Sequence, residues 1–257
     1  SQWLGMGRKL LAEETAFREA MERCDAAIHA CAGFSVLAEL AAEEGKGRLH
    51  EIDVIQPVLF AMEVALAELW RAWGIEPDAV VGHSMGEVAA AHVAGALSLE
   101  DAAKIICRRS RLLRGVSGQG SMLLVDLTLE EAKQALHGWE SQVSVAVSNS
   151  VRSTVLSGAP GALEDIAQQL KQRDVFCRFV KVDVASHSPQ MDPLRPDLLA
   201  ALQDLAPRAS RVPICSTVTG RMTDGAEFRA GYWADNLREP VLFSKAIEKL
   251  AVDGHDL

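Results

Sequence analysis

The sequence predicts an α/β protein in which a small β-α-β-β-α-β unit interrupts a larger body. Three observations carry that expectation. An apolar run, Asp78 to Val81, leads directly into Gly82-His83-Ser84-Met85-Gly86 and a helical stretch, Gly86 to Ala94, which is a strand, a tight turn and a helix in immediate succession. From about residue 119 to residue 184 strand-length and helix-length segments alternate. The apolar residues are aliphatic: 49% of the 257 residues are hydrophobic but only 5% are aromatic, which suits helices and aliphatic strands better than the aromatic layers of a β-sandwich.

In chain order, residues 10 to 44 read as helices, rich in Ala and Glu with Leu and Phe at helical spacing, and Gly45-Lys46-Gly47 ends them. Pro57 is expected at a helix start and Gly74 behind its end, bounding Val58 to Trp73. Ser98-Leu99-Glu100-Asp101 resembles a capping box with Asp in the last place and opens a helix to about Arg114. Ser117-Gly118-Gln119-Gly120 reads as a linker. Beyond it, strands are expected at Met122 to Val125, Val143 to Val147, Thr154 to Ser157 and Cys177 to Val182, with helices at Leu129 to Leu136 and Ala162 to Gln172. That order is the ferredoxin-like supersecondary pattern. The expected division is 1–118 and 185–257 for the two parts of a large subdomain, and 119–184 for the small one. The last part holds helix after His187, a strand at Val212 to Val218 and a helix near Ser244 to Ala251.

Charge and cysteine usage narrow the class. Lys plus Arg number 26 and Asp plus Glu 35, a net charge of −9, which argues against nucleic acid as the main partner while leaving room for a local basic pocket that binds a small anion. Cys24, Cys31, Cys107, Cys177 and Cys215 show no C-x-x-C spacing and are odd in number, as expected of reduced cysteines in a cytoplasmic protein. No apolar run reaches the roughly 18 residues of a membrane span, and Ser1-Gln2-Trp3-Leu4 is not a signal peptide. With no initiator Met and no capping character at Asp256-Leu257, the chain reads as cut at both ends.

Gly82-His83-Ser84-Met85-Gly86 is G-x-S-x-G, the nucleophile elbow. A sharp strand-to-helix turn lifts the Ser84 hydroxyl into solvent, small residues two before and two after avoid collision, and the helix N-terminus offers N–H donors to a developing oxyanion. Chance would produce the pattern in roughly one chain of this length in ten; its strand and helix context lowers that. A serine nucleophile needs a base. Of seven histidines, His83 would point away from the nucleophile and His92 lies on the motif helix. His29, His50, His137 and His255 stand in polar settings. His187, in Val184-Ala185-Ser186-His187-Ser188-Pro189 at the end of an apolar strand, is favoured. On the helix from Leu99, Arg109 falls at the centre of the stripe made by Ala102, Ile105, Ile106, Leu112 and Leu113, with Arg108 and Arg111 to either side. A buried guanidinium needs an anion: an internal carboxylate, or a substrate carboxylate held bidentately.

Gly82-His83-Ser84-Met85-Gly86-Glu87 followed by Ala89-Ala90-Ala91-His92-Val93-Ala94-Gly95 resembles the acyltransferase domain of modular type I polyketide synthases, a family shared with malonyl-CoA:acyl-carrier-protein transacylases. Gln56-Pro57, Arg109-Ser110-Arg111, Val184 to Ser188, Tyr232 to Val241 and the opening Ser1 to Gly7 extend the resemblance over the whole chain. It implies an α/β-hydrolase-like large subdomain with a ferredoxin-like insert. It also implies ping-pong acyl transfer with no bound cofactor or metal. Ser84 would attack an acyl-CoA thioester with His187 as base, Met85 N–H would serve the oxyanion, Gln56 would line the site, and Arg109 would bind the free carboxylate. The acyl group would pass to the phosphopantetheine thiol of an acyl carrier protein, beside a ketosynthase domain and linkers in one cytoplasmic polypeptide. In the family a second oxyanion donor comes from a Gly-Gln-Gly stretch, expected before Ser1, and a backbone carbonyl steadies the histidine, expected beyond Leu257.

Arg109 points to a malonyl-type extender, since starter-loading members typically lack it. Val184-Ala185-Ser186-His187 resembles the family's methylmalonyl signature, usually Tyr-Ala-Ser-His, more than its malonyl signature His-Ala-Phe-His; Ser186 and Val184 leave room for an α-branch. Met85 departs from the Gln usual in methylmalonyl members. Methylmalonyl-CoA is therefore favoured and malonyl-CoA second. The alternatives are a serine esterase or thioesterase, which would need an acidic triad partner that Asp183 stands too near His187 to supply, and a non-catalytic megasynthase domain.

Overall fold

The structure is a computed structural model that describes residues 2–256; Ser1 and Leu257, and the expectations placed on them as chain ends, lie outside the described residues. The chain forms two compact units. The first comprises Ser1–Arg114, Ala201–Ile214 and Thr223–Arg229, the second Gly115–Ala200, Cys215–Met222 and Ala230–Leu257.

The first unit opens with α1 (Arg8–Glu13), α2 (Thr15–Ala32) and α3 (Val36–Ala41), followed by α4 (Ile52–Ala72). Pro57 lies inside α4 rather than at its start. Proline removes one backbone bond, but Val54, 1% exposed, and Val58, fully buried, seat the turn ahead of it in the core. β1 (Val80–Val81) is shorter than the expected strand, with Val80 N–H donating to Pro213 O at 2.9 Å. Next come α5 (Gly86–Val93) and α6 (Leu99–Arg114). Ser98 Oγ accepts from Asp101 N–H at 3.0 Å, which is half of the expected capping box. Helices α2, α4 and α6 pack on one another, and α5 packs on α4.

The second unit holds β2 (Ser121–Val125), α7 (Leu129–Ala135), β3 (Val143–Ser150), β4 (Ser153–Gly158), α8 (Pro160–Gln172) and β5 (Cys177–Phe179), the β-α-β-β-α-β succession read from the sequence. The sheet is antiparallel in the order β3-β4-β2-β5. Leu123, Val125, Val143, Val145 and Leu156 bury against Leu163, Ile166 and Leu170 of α8. β5 ends before the expected Val182, because Val182 N–H turns back to Val180 O at 2.9 Å. α7 carries a complete capping box between Thr128 and Glu131 that the sequence reading passed over.

The rest of the chain supplies a 3₁₀ turn (Pro189–Leu194), α9 (Arg195–Ala201), β6 (Ile214–Ser216), β7 (Arg221–Thr223), α10 (Ala230–Arg238) and α11 (Phe243–Val252). The compact units do not follow the expected 119–184 boundary. Segments 185–200 and 230–257 cluster with the four-stranded sheet because the chain beyond α10 bonds into it. Ser148 N–H donates to Val241 O at 2.9 Å and Val241 N–H to Ala146 O at 2.8 Å. A shift of register between Val145 and Val147 turns Ala146 and Val147 to the other face, where Val241 and Phe243 meet them.

The linker before β2 is tied to the segment that carries His187. Gly118 N–H and Gly120 N–H donate to Asp183 O at 2.8 and 3.3 Å, and a Cβ on Gly120 would stand 2.3 Å from Ala185 N. Gly120→Ala is therefore expected to destabilise the protein by about 1–3 kcal/mol. Gly161→Ala, in α8 with nothing within 4 Å, is expected to stabilise it by up to about 1 kcal/mol. Urea denaturation of both variants measures the two signs.

Candidate active site

The elbow occupies the step from β1 to α5 in the first unit. Ser84 takes φ 54°, the left-handed region that costs a non-glycine residue about 1–3 kcal/mol and is held only where neighbours enforce it. Here Gly86 N–H donates to His83 O, Glu87 N–H to Ser84 O and Val88 N–H to Met85 O, all at 3.0–3.1 Å. They lock the first turn of α5. Among the described residues the Met85 N–H at its head has no acceptor. The two glycines differ in what they do. A Cβ on Gly82 would stand 2.2 Å from Glu87 N, so the strand can approach the helix only without a side chain there. A Cβ on Gly86 would meet nothing nearer than Glu63 Oε1 at 3.9 Å. The expectation that both avoid collision holds for Gly82 alone. Ser84 and Met85 are half-buried and His83 is exposed.

Beneath the elbow runs α6. Its buried residues include Ala102, Ile105, Ile106, Arg109 and Leu113, so Arg109 does sit within the apolar stripe; Leu112 is only half-buried. Arg109 is 3% exposed, and its Nη2 donates to Ser84 Oγ at 3.0 Å. Burial pushes the guanidinium down to about 10, and the Glu87 carboxylate, 1% exposed, acts against that shift. At neutral pH Arg109 is still a cation. The sequence left open whether an internal acid or a substrate answers this charge; Glu87 provides an internal acid, and the Ser84 hydroxyl takes one donor. On α4, Gln56 is half-buried and its Oε1 is enclosed with no hydrogen-bond partner among the described residues. A buried amide oxygen in that state costs free energy until a donor reaches it.

In the second unit His187 is 2% exposed and also left-handed, φ 60°. Its bonds include three within this unit. Its N–H donates to Leu237 O at 3.1 Å, its carbonyl accepts from Ser144 Oγ at 2.8 Å, and its Nδ1 lies 2.8 Å from Glu239 O. A carbonyl only accepts, so Nδ1 carries the proton and Nε2 is the basic nitrogen. The supporting carbonyl was expected beyond Leu257. It comes instead from Glu239, where the chain leaving α10 passes the imidazole. Val184 and Ser186, on either side of buried Ala185, are themselves buried. Asp183, set aside as a triad acid, accepts from Ser117 Oγ and clamps the linker.

Ser84, Met85, Gln56 and Arg109 thus belong to the first unit, and His187, Val184 and Ser186 to the second. His92 is structural: its Nδ1 is 3.1 Å from Leu97 O, and burial lowers its pKa. Two contributors escaped sequence reasoning. Glu87 follows the motif and looked like an ordinary acid in the first turn of a helix. Glu239 acts through its backbone, which no side-chain pattern marks.

The acyl transferase domain family matches residues 1–257. Erythronolide synthase EryA2 of Saccharopolyspora erythraea is 47% identical over 256 residues, covering 100% of this chain and 7% of its own length. The chain therefore spans a small part of such a relative. The acyltransferase domain from module 8 of the salinomycin polyketide synthase is 41% identical with a TM-score of 0.97, over 99% of this chain and 60% of that one. A loading acyltransferase from the avermectin modular polyketide synthase is 40% identical with a TM-score of 0.94, over 98% and 81%.

The contrast between the two elbow glycines is testable. Gly82→Ala is expected to cost about 3 kcal/mol, because the clash is with backbone. Gly86→Ala is expected to change stability by no more than about 1 kcal/mol. Chemical denaturation at constant m-value separates the two.

Proposed function

The chain belongs to the acyl transferase domain family, and from that premise we propose that it selects a dicarboxylic acyl-CoA and passes the acyl group through Ser84 to the phosphopantetheine thiol of an acyl carrier protein. Ser84 Oγ attacks the thioester carbonyl as its proton moves to His187 Nε2. The tetrahedral oxyanion draws on Met85 N–H. Collapse breaks the C–S bond, and the CoA sulfur leaves with the proton from His187. The carrier thiol then gives its proton to His187, attacks the acyl-serine and restores the hydroxyl.

The observation that supports this reading best is the 3.0 Å contact between Arg109 Nη2 and Ser84 Oγ. A guanidinium that close to the nucleophile suits an acyl group whose free carboxylate lies one carbon from the reacting carbonyl, as in malonyl and its α-branched relatives. Succinyl would carry its charge too far on. Arg109 also favours an extender over a monocarboxylic starter. Ser186 and Val184, both short, favour methylmalonyl over malonyl, by the roughly 1–3 kcal/mol that one methyl group is worth in a pocket. A carrier protein, a neighbouring ketosynthase and a cytoplasmic setting go with this reading. Among the described residues no helix is long and apolar enough to cross a membrane.

Ser84→Ala is expected to abolish the acyl-enzyme adduct, read by intact-protein mass after incubation with methylmalonyl-CoA. Arg109→Ala is expected to lose roughly ten- to 150-fold in kcat/KM for methylmalonyl-CoA, the worth of a charge-assisted hydrogen bond, while keeping propionyl-CoA. A variant that still prefers methylmalonyl-CoA to propionyl-CoA would refute the carboxylate clamp. Rapid CoA release with no acyl group on the carrier protein would show a hydrolase instead.

A further inference from the structure

On the side of α6 away from Ser84, the first unit holds a cavity of about 420 Å³ that the acyl-transfer reading does not use. Helical geometry sets it apart from the acyl site. At about 100° per residue, Arg111 and Arg114 project about 140–160° away from Arg109, and Arg108 about 100° away. All three line the cavity, together with Arg48, Asp53 and Phe34.

Four guanidiniums around one cavity are unusual in a chain of net charge −9, and they are not in the same state. Arg48 is taken: it pairs with Glu39, Nε to Oε1 at 2.8 Å, and lies 5.4 Å over the Phe34 ring. Arg114 is taken too, by Glu51 and by Asp53 at 2.7 Å. Arg108 and Arg111 have no ion pair or hydrogen bond to an acid among the described residues. They stand three apart on one helix, where like charges repel. The acids nearby go to their neighbours, so the cavity keeps two planar forks with nothing to hold.

We propose that this cavity binds a phosphate-bearing small molecule, with a phosphate or pyrophosphate group between Arg108 and Arg111. Guanidinium forks match phosphate oxygens bidentately. The volume is in the range of small-ligand sites. The chain's overall negative charge opposes a nucleic acid or another extended polyanion. The phosphate could be inorganic or could belong to a nucleotide. This site is separate from the acyl site and does not depend on the proposed reaction.

Isothermal titration of the whole chain at low ionic strength with sodium pyrophosphate, and separately with adenosine 3′,5′-bisphosphate, tests it. Saturable one-to-one binding is expected, weakened at least about tenfold in the Arg108→Gln/Arg111→Gln double variant. Arg111→Lys, which keeps the charge but loses the fork, is expected to fall between. Arg178→Gln, an exposed arginine of the second unit, is expected to bind pyrophosphate as the parent does. Thermal melts check that each variant is folded. Tighter binding of the bisphosphate assigns the site to nucleotides, and equal binding to the phosphate group alone. Three results would each overturn the proposal: no saturable binding of either probe, undiminished binding in the double variant, or equal binding of a hexaglutamate peptide.

Discussion

One buried cation organises the first unit. Arg109 stands on the apolar stripe of α6, 3% exposed, where an unanswered charge would be prohibitive. Its partners include Glu87, buried in the first turn of α5, and the hydroxyl of Ser84. These two come from the elbow and its helix, so the charge ties α6 to α5 as well as facing Ser84. The guanidinium is pushed down to about 10, below its ordinary value, so the folded state disfavours the charged form. That cost is present at every pH below about 10 and is relieved only as pH rises past it. The charge is held at the expense of stability, which is common where chemistry needs a group that packing alone would exclude.

Backbone strain follows the same logic. Ser84 and His187 are two of the three non-glycine residues with positive φ among the described residues. The elbow keeps Ser84 left-handed through the first bonds of α5 and through Gly82, whose missing side chain allows strand and helix to touch. In the second unit His187 is kept left-handed by Leu237, Ser144 and Glu239, which belong to α10, a strand of the sheet and the chain leaving α10. Regular elements therefore hold the strained residues, and a strained residue so held has little freedom to reorient.

Legibility in the sequence divides along the range of the interaction. Local patterns were readable: the strand–turn–helix at Ser84, the stripe that buries Arg109, and the β-α-β-β-α-β succession, each set by spacing within one or two elements. Long-range closure was not. Nothing local shows that Val241 would bond to Ala146 and draw the C-terminal segment onto the sheet, or that Glu239 would bring its carbonyl to an imidazole 52 residues away. Pro57 misled for the opposite reason. Its own preference is for a helix start, and burial of Val54 and Val58 overrides it.

In the proposed reaction charge and shape discriminate by different means. In that reaction Arg109 distinguishes a carboxylate from a methyl group through a charge-assisted hydrogen bond, a contrast of about 1.5–3 kcal/mol. In the same proposal Val184 and Ser186 would distinguish hydrogen from methyl, a contrast of roughly 1–3 kcal/mol that small side-chain movements can reduce. On that proposal the class of acyl group rests on a fixed charge, and the α-branch on side-chain shape that yields more easily. The departure at Met85 is consistent with that ordering. In the proposal its backbone N–H would serve the oxyanion whichever side chain it bears, so the side chain could vary, and with it the branch preference, while the proposed nucleophile, oxyanion donor and clamp stay in place. Selectivity for the α-branch can thus change through a few pocket residues without disturbing the buried charge on which the first unit is built.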